Sequence, residues 1–272
     1  MPTSPTPLPP AHPSAGSTPV PPTDALVATD VVKTYGPLGP GEVAPLGGVT
    51  LTVAPGESVA IMGPSGSGKT TLLHVLAGIL TASGGSVTWR GRDLARMSDR
   101  ERSALRRRDF GFVFQAGHLL PELPAVENVA VPLMLSGRPR AAAVAEAAAL
   151  FPVLGLQGLE RRRPGELSGG QAQRVAIARA MVASPGVVFA DEPTGALDPT
   201  TGGQVLRLLR DAVDRDGLTV VMVTHDPLAA AVSDRLVLLR DGRLVADSPT
   251  PGAAEIAARL RAVSAPAVTV PA

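Results

Sequence analysis

Eight consecutive residues, Gly63-Pro64-Ser65-Gly66-Ser67-Gly68-Lys69-Thr70, have the types and spacing of a phosphate cradle, Gly-x-x-x-x-Gly-Lys-Thr. Glycines let backbone N–H groups converge on phosphate oxygens, and a helix opening at Lys69 adds its positive end. In such a loop Lys69 bridges the β- and γ-phosphates of a nucleotide and the Thr70 hydroxyl holds Mg²⁺. Thr71 joins the same nucleotide-binding set. Further along, Leu167-Ser168-Gly169-Gly170-Gln171 offers a hydroxyl, closely approachable backbone amides and another helix start. That is a second anion site. One nucleotide needs one cradle. Two segments suited to the same phosphate imply a site closed by two protein surfaces, able to act as an ATP-driven clamp.

The carboxylates come next. The apolar run Val187–Ala190 ends in Asp191 and Glu192. In a parallel sheet, strand C-termini face the ligand crevice. Asp191 suits an Mg²⁺ shell. Glu192 suits a general base on the attacking water, a role that contributes roughly 10²–10⁴-fold. Gln115 ends a strand and begins a helical stretch, so its neutral amide can contact Mg²⁺ or the water. His225 follows the apolar run Thr219–Val223. Its imidazole can donate to the γ-phosphate or orient Glu192 and water. Tyr35 is the only tyrosine, and its ring can stack on adenine. His74 is expected to be packed or solvated within the first helix, and His12 and His118 are given no role. Arg106–Arg108 and Arg161–Arg163 read as solvated faces. With aromatics at 3% of the chain, they lack the stacking partners of a nucleic-acid surface.

These groups need a scaffold of alternating strands and helices. Ala25–Val32, Val49–Val53, Ser58–Met62, Ser86–Trp89 and Gly111–Phe114 read as strands, and Lys69–Leu80 as a helix. Ser98 and Glu101 form a capping box before a helix ending near Arg108; Ser168 and Gln171 form another before a helix to about Ala183. Pro124–Leu135 and Arg140–Leu154 read as helices of an inserted lobe. Val187–Ala190 and Thr219–Val223 are apolar enough for strands buried on both faces of a mainly parallel sheet. Leu236–Leu239, Asp241-Gly242 and Leu244–Ala246 make a hairpin. Residues 1–24 are proline-rich and read as a disordered tail. Residues 249–272 read as a short helix, with Ile256, Leu260 and Val263 on one face, and a flexible end.

The 272 residues are 44% hydrophobic and carry a net charge of +1, which gives no bulk attraction to nucleic acid or an anionic membrane. Cysteine is absent, which removes disulfides and thiolate metal sites. No stretch reaches the 18 or so apolar residues of a membrane span, and no secretory signal is legible. Any membrane role is therefore expected to run through a partner.

Taken together these residues, from about Ala25 to Ser248, resemble the ATPase subunits of ABC transporters. The resemblance implies an α/β fold: a P-loop NTPase core with a mainly parallel sheet, an antiparallel β subdomain and an inserted α-helical subdomain at about residues 116–166. By that likeness Gly63–Thr70 is Walker A, Gln115 the Q-loop and Leu167–Gln171 the signature. Asp191 and Glu192 match Walker B with its catalytic glutamate, Gly195–Asp198 the D-loop, and His225 the switch histidine. Tyr35 matches the adenine-stacking aromatic. ATP and Mg²⁺ are the implied cofactors, with Asp198, Ser168, Gly169, Gly170 and Gln171 also at the nucleotide. The implied partners are a second ATPase subunit, packed head to tail, and a transmembrane permease; nucleic acid is not one. The implied place is the cytoplasmic face of the plasma membrane, held through the permease. Three stretches are similar to the macrolide-exporter, lipoprotein-release and cell-division branch: Gly36–Leu46, Gly111–Gln115 with Leu119-Leu120-Pro121, and Ala190–Gly195. Ala172 and Ala196 depart from the common pattern. Within this branch a regulatory ATPase that signals through a membrane partner without moving a solute would carry the same motifs.

Overall fold

The computed structural model describes residues 24–36 and 43–265. The proline-rich tail before Asp24, the middle of the Gly36–Leu46 stretch and the chain end lie outside the described residues.

The strands that read as apolar runs form one layer. β3 (Ser58–Met62), β6 (Phe110–Phe114), β7 (Val187–Asp191), β8 (Thr219–Val223), β9 (Arg235–Arg240) and β10 (Arg243–Pro249) make a six-stranded sheet in the order β10-β9-β3-β8-β7-β6. β9 to β6 pair in parallel, and only β10 is antiparallel, at the edge. β3 and β8 are buried at every position, as expected for strands covered on both faces. The β9–β10 turn places Asp241 and Gly242 at positive φ, the geometry that a two-residue hairpin requires.

β1 (Leu26–Tyr35), β2 (Val43–Val53), β4 (Gly84–Trp89) and β5 (Arg92–Asp93) form a separate antiparallel sheet in the order β2-β1-β4-β5. Here the structure extends the sequence reading. β1 runs on to Tyr35 and β2 begins at Val43, because Tyr35 pairs with Val43 and Lys33 with Leu46 across the ladder. This sheet and α1 (Lys69–Leu76) pack on one face of the parallel sheet, around Leu26, Leu46, Ile61, Leu73 and Phe189.

Several helices differ from expectation. α1 stops at Leu76, not Leu80, as Gly78 turns into a left-handed conformation. The expected helix over Arg140–Leu154 splits into α4 (Arg140–Ala148) and α5 (Leu150–Val153). Pro152 lacks the N–H that would continue it. α7 (Pro199–Asp216) was not expected. It is an 18-residue helix opened by Asp198, with Pro199 at its first position, and closed by Gly217. α7 covers the second face of the sheet with α8 (Pro227–Ala230) and α9 (Ala253–Ser264), whose Ile256, Leu260 and Val263 join that core. The capping boxes of α2 (Asp99–Asp109) and α6 (Gly169–Met181) form as read.

α3 (Ala125–Leu135), α4 and α5 build the inserted lobe around Phe151 and Leu156. α6 belongs to both bodies. Its Ile177 and Ala180 pack on the sheet, and its Val175, Ala178 and Val182 pack in the lobe. Arg106 corrects the reading of its arginine run as solvated. It is half-buried and donates to the Gly78 carbonyl and to Ser103 Oγ.

Candidate nucleotide site

The Gly63–Thr70 loop joins β3 to α1, and two of its glycines, Gly63 and Gly68, are forced by close approach. A Cβ at Gly63 would run into the Leu239 carbonyl, and one at Gly68 into the Pro45 carbonyl. The loop is braced from behind by the hairpin turn, where Gly242 N–H donates to the Ser67 carbonyl at 3.1 Å. α1 then opens without a side-chain cap and without an acid in its first turn. Lys69 Nζ donates to the Gly63 and Pro64 carbonyls, both at 2.9 Å. Burial lowers the Lys69 ammonium, while Glu192 and Asp191 oppose the shift. A cation held by neutral carbonyls can trade them for phosphate oxygens, so the loop fits a nucleotide phosphate.

Thr70 and Asp191 come from different elements and meet. Thr70 Oγ1 donates to Asp191 Oδ1 at 3.5 Å. Burial pushes the Asp191 carboxyl up, against the charge of His74. Two hard oxygens side by side fit Mg²⁺, and a dication would favour the ionised carboxylate. His74, expected to be uninvolved, thus lies close enough to bias Asp191.

Glu192 follows β7 with φ at 50°, an unfavourable left-handed backbone for a glutamate. Its N–H donates to the Val223 carbonyl at 2.9 Å. His225 Nδ1 lies 2.8 Å from Glu192 Oε1; with the proton on Nδ1 it donates there. His225 N–H and Thr224 Oγ1 approach Oε2 at 3.4 and 3.5 Å. The end of β8 therefore aims the carboxylate at the end of β7. The Glu192 side chain is 18% exposed and that of His225 68%. The carboxylate is shielded and the imidazole that contacts it faces outward.

Gln115 is exposed. Its amide lies against Gly195, where an added Cβ would sit 2.8 Å from Nε2. Tyr35 is 43% exposed at the end of β1, with Lys33 Nζ 4.9 Å from its ring centroid. Asp198 caps α7, accepting from the Thr200 and Thr201 N–H groups at 3.0 Å, and hydrogen bonds from Thr201 hold its carboxyl below the usual range.

The second phosphate-like segment stands apart. Ser168 Oγ accepts from Gln171 N–H at 3.3 Å, and Gln171 Oε1 accepts from Ser168 N–H at 2.9 Å. Gly170 presses on the start of α7, where a Cβ would strike the Thr201 methyl. Among the described residues no hydrogen bond joins Ser168–Gln171 to Gly63–Thr70. Sequence reasoning missed Thr224 and Gln173. Gln173 had a legible signal: a glutamine on the same helix stripe as Ile177 and Ala180.

Residues 46–195 match the family model described as ABC transporter. The lipoprotein-releasing system ATP-binding protein LolD of Geobacter metallireducens is 46% identical over 222 residues, covering 82% of this chain and 98% of that protein. The macrolide export ATP-binding/permease protein MacB of Chromobacterium violaceum is 47% identical over 215 residues. The chain spans only a third of that relative, 33% of its length. Among solved structures, the dimeric post-hydrolysis state of the ATP-binding cassette MJ0796, bound to ADP and Pi, superposes with a TM-score of 0.76 at 37% identity. It covers 84% of this chain and 99% of that one. The chain belongs to the ABC transporter family, as one of its ATP-binding, ATP-hydrolysing cassettes.

Proposed function

We propose that this cassette is one of two subunits that drive a membrane export or release system. Two copies, or one copy and a close relative, pack head to tail. Ser168–Gln171 of one then covers the nucleotide on Gly63–Thr70 of the other. Support comes from the dimeric state of the MJ0796 cassette. It comes also from the names of the relatives, a lipoprotein-releasing system and a macrolide exporter.

In this reading the glycine loop and Lys69 bind the β- and γ-phosphates, Thr71 follows in the same turn, and Tyr35 stacks on adenine. Thr70, Asp191 and Gln115 would hold Mg²⁺, which when bound neutralises phosphate charge. Glu192 takes a proton from water as the water oxygen bonds to the γ-phosphorus and the bond from that phosphorus to the β,γ-bridging oxygen breaks, releasing ADP and phosphate; His225 keeps the carboxylate aimed. Asp198 acts from the cap of α7, next to the partner's nucleotide. Closure does the mechanical work, since ATP shifts the equilibrium only by its higher affinity for the closed pair. The observation that carries the reading is the Glu192 carboxylate, held at 2.8 Å by His225 beside the Thr70–Asp191 pair.

The permease is a separate partner in this reading, and it holds the cassette at the cytoplasmic face of the plasma membrane. No helix among the described residues is long and apolar enough to cross a membrane. A cleft of about 390 Å³ lies where the lobe meets the core, lined by Ile79, Arg106, Phe112, Phe114, Leu135 and Arg179. Its apolar walls and three arginines, Arg106, Arg107 and Arg179, suit a short cytoplasmic segment of the permease.

The test is Glu192→Gln. ATP affinity should stay close to that of the unmodified protein, turnover should fall by about 100-fold or more, and light scattering should show an ATP-dependent dimer. Undiminished hydrolysis would refute the assigned base. A strict monomer at saturating ATP, even beside the transporter core, would refute the paired site.

A further inference from the structure

We propose that Gln173 is a positioning residue for hydrolysis: its buried carboxamide ties α6 to the turn after Glu192 and to the strand end before Gln115. Engagement of Ser168–Gly170 at one nucleotide is thereby reported to the base that the same chain presents to the other. The inference rests on the roles proposed above for Glu192, Gln115 and the Ser168–Gln171 segment.

Gln173 is 3% exposed. Its Nε2 donates to the Phe114 carbonyl at 3.1 Å and to the Pro193 carbonyl at 2.8 Å, so both amide hydrogens are used. Phe114 directly precedes Gln115, and Pro193 directly follows Glu192. The two gripped segments also meet each other, through the Gln115 amide against Gly195. Farther along α6, Arg179 holds the other end of the same loop. Its Nη1 and Nη2 donate to the His118 and Gly117 carbonyls at 2.8 and 2.7 Å.

A buried amide costs most when its partners are removed. The α6 stripe, the end of β6 and the turn after β7 therefore move together. Ser168 caps that same helix, so a shift at its first turn reaches Phe114 and Pro193 through one side chain. An apolar residue of equal length would fill the space but release both carbonyls. A structural glue would need no donor at this position, because Ile177 and Ala180 on the same stripe already pack against the sheet.

The test uses the full chain and steady-state ATP hydrolysis. Gln173→Met keeps the length and removes the donor. It should lower kcat about tenfold or more while KM for ATP moves less than about threefold. With Glu192→Gln added, the ATP-dependent dimer should persist. Ser168→Ala should slow the unmodified protein but add little to Gln173→Met, because the second change cuts the same link. The inference is overturned if folded Gln173→Met keeps its kcat, if KM rises in step with the loss, or if the two effects multiply. Should Gln173→Met fail to fold, Gln173→Glu, equal in shape and unable to donate when ionised, carries the same comparison. Normal turnover in Glu192→Gln would instead sink the assignment of the base. A dead Glu192→Gln beside an unimpaired Gln173→Met sinks only the role of Gln173.

Discussion

Helix α1 opens from Gly68 with no side-chain cap, whereas α6 opens from Ser168 inside a closed capping box. At α1, Lys69 begins the helix and Asp191, Glu192 and His225 gather in front of it. At α6 the first turn carries no acid, and the cap is completed by the neutral Gln171. α2 shows what that neutrality means. Its box has the same geometry, Ser98 with Glu101, but Asp99 and Glu101 fill the positive helix end with the chain's own carboxylates. Exchanging a carboxylate for a carboxamide keeps the cap and leaves the helix field for an anion from outside. In the proposed reading one end of this molecule serves proton transfer and the other recognition, the division that a site shared between two chains requires.

Four substitutions and one rescuing change break or sharpen this contrast. Lys69→Ala removes the cation from the chemical end and should have the largest effect. ATP affinity should drop by about tenfold or more, and hydrolysis by still more, since charge stabilisation at the transferring phosphate is lost. Nucleotide titration beside a turnover assay checks it. Gly170→Ala attacks the recognition end. Overpacking costs about 1–3 kcal/mol, so the closed pair and turnover should weaken about tenfold. Adding Thr201→Ser removes the methyl that the new Cβ would strike, and turnover should recover. Failure of that rescue would mean Gly170 is needed for backbone approach to the ligand instead. Gln171→Glu should weaken the ATP-dependent dimer by about two- to fivefold, from a helix-end charge effect of 0.3–1 kcal/mol. The melting temperature should hold or rise, because the box still closes and the helix gains a favourable charge. Opposite signs in binding and stability are the signature to look for. Ser98→Ala on α2 should cost about 1 kcal/mol of stability and leave turnover unchanged, as that box has no part in the proposed nucleotide site.

Much of the site was legible because its signals are local. A glycine loop between an apolar run and a helix is written in consecutive residues, and so are both capping boxes and the Asp241-Gly242 turn. α7 was missed for a physical reason. Gly202 and Gly203 lie in its first turns, and glycine lowers helix propensity by roughly 1 kcal/mol each. Packing overrides that cost: Gly202 is buried, and an added Cβ would sit 3.4 Å from Thr194 Cβ. β2 begins at Val43 in a stretch with Pro45, Gly47 and Gly48, poor in strand formers. Pairing with β1 supplies what the local residues lack. Gln173 reads as one polar residue on an apolar stripe until the two carbonyls it holds are known.

Residue order alone determined the phosphate loop, the carboxylates at a strand end and the second helix start, since each is a spacing of a few residues with a chemical meaning. Tertiary structure alone decided that His225 aims Glu192 and that Thr70 meets Asp191. It also decided that one glutamine spans three segments. His225 and Glu192 follow the neighbouring strands β8 and β7. Thr70 at the start of α1 reaches β7 from beyond β8, and Gln173 ties α6 to the ends of β6 and β7. All are brought together by the sheet order β3-β8-β7-β6. No period along the chain encodes which distant strands will lie side by side, because that choice is made by packing two faces of the sheet at once.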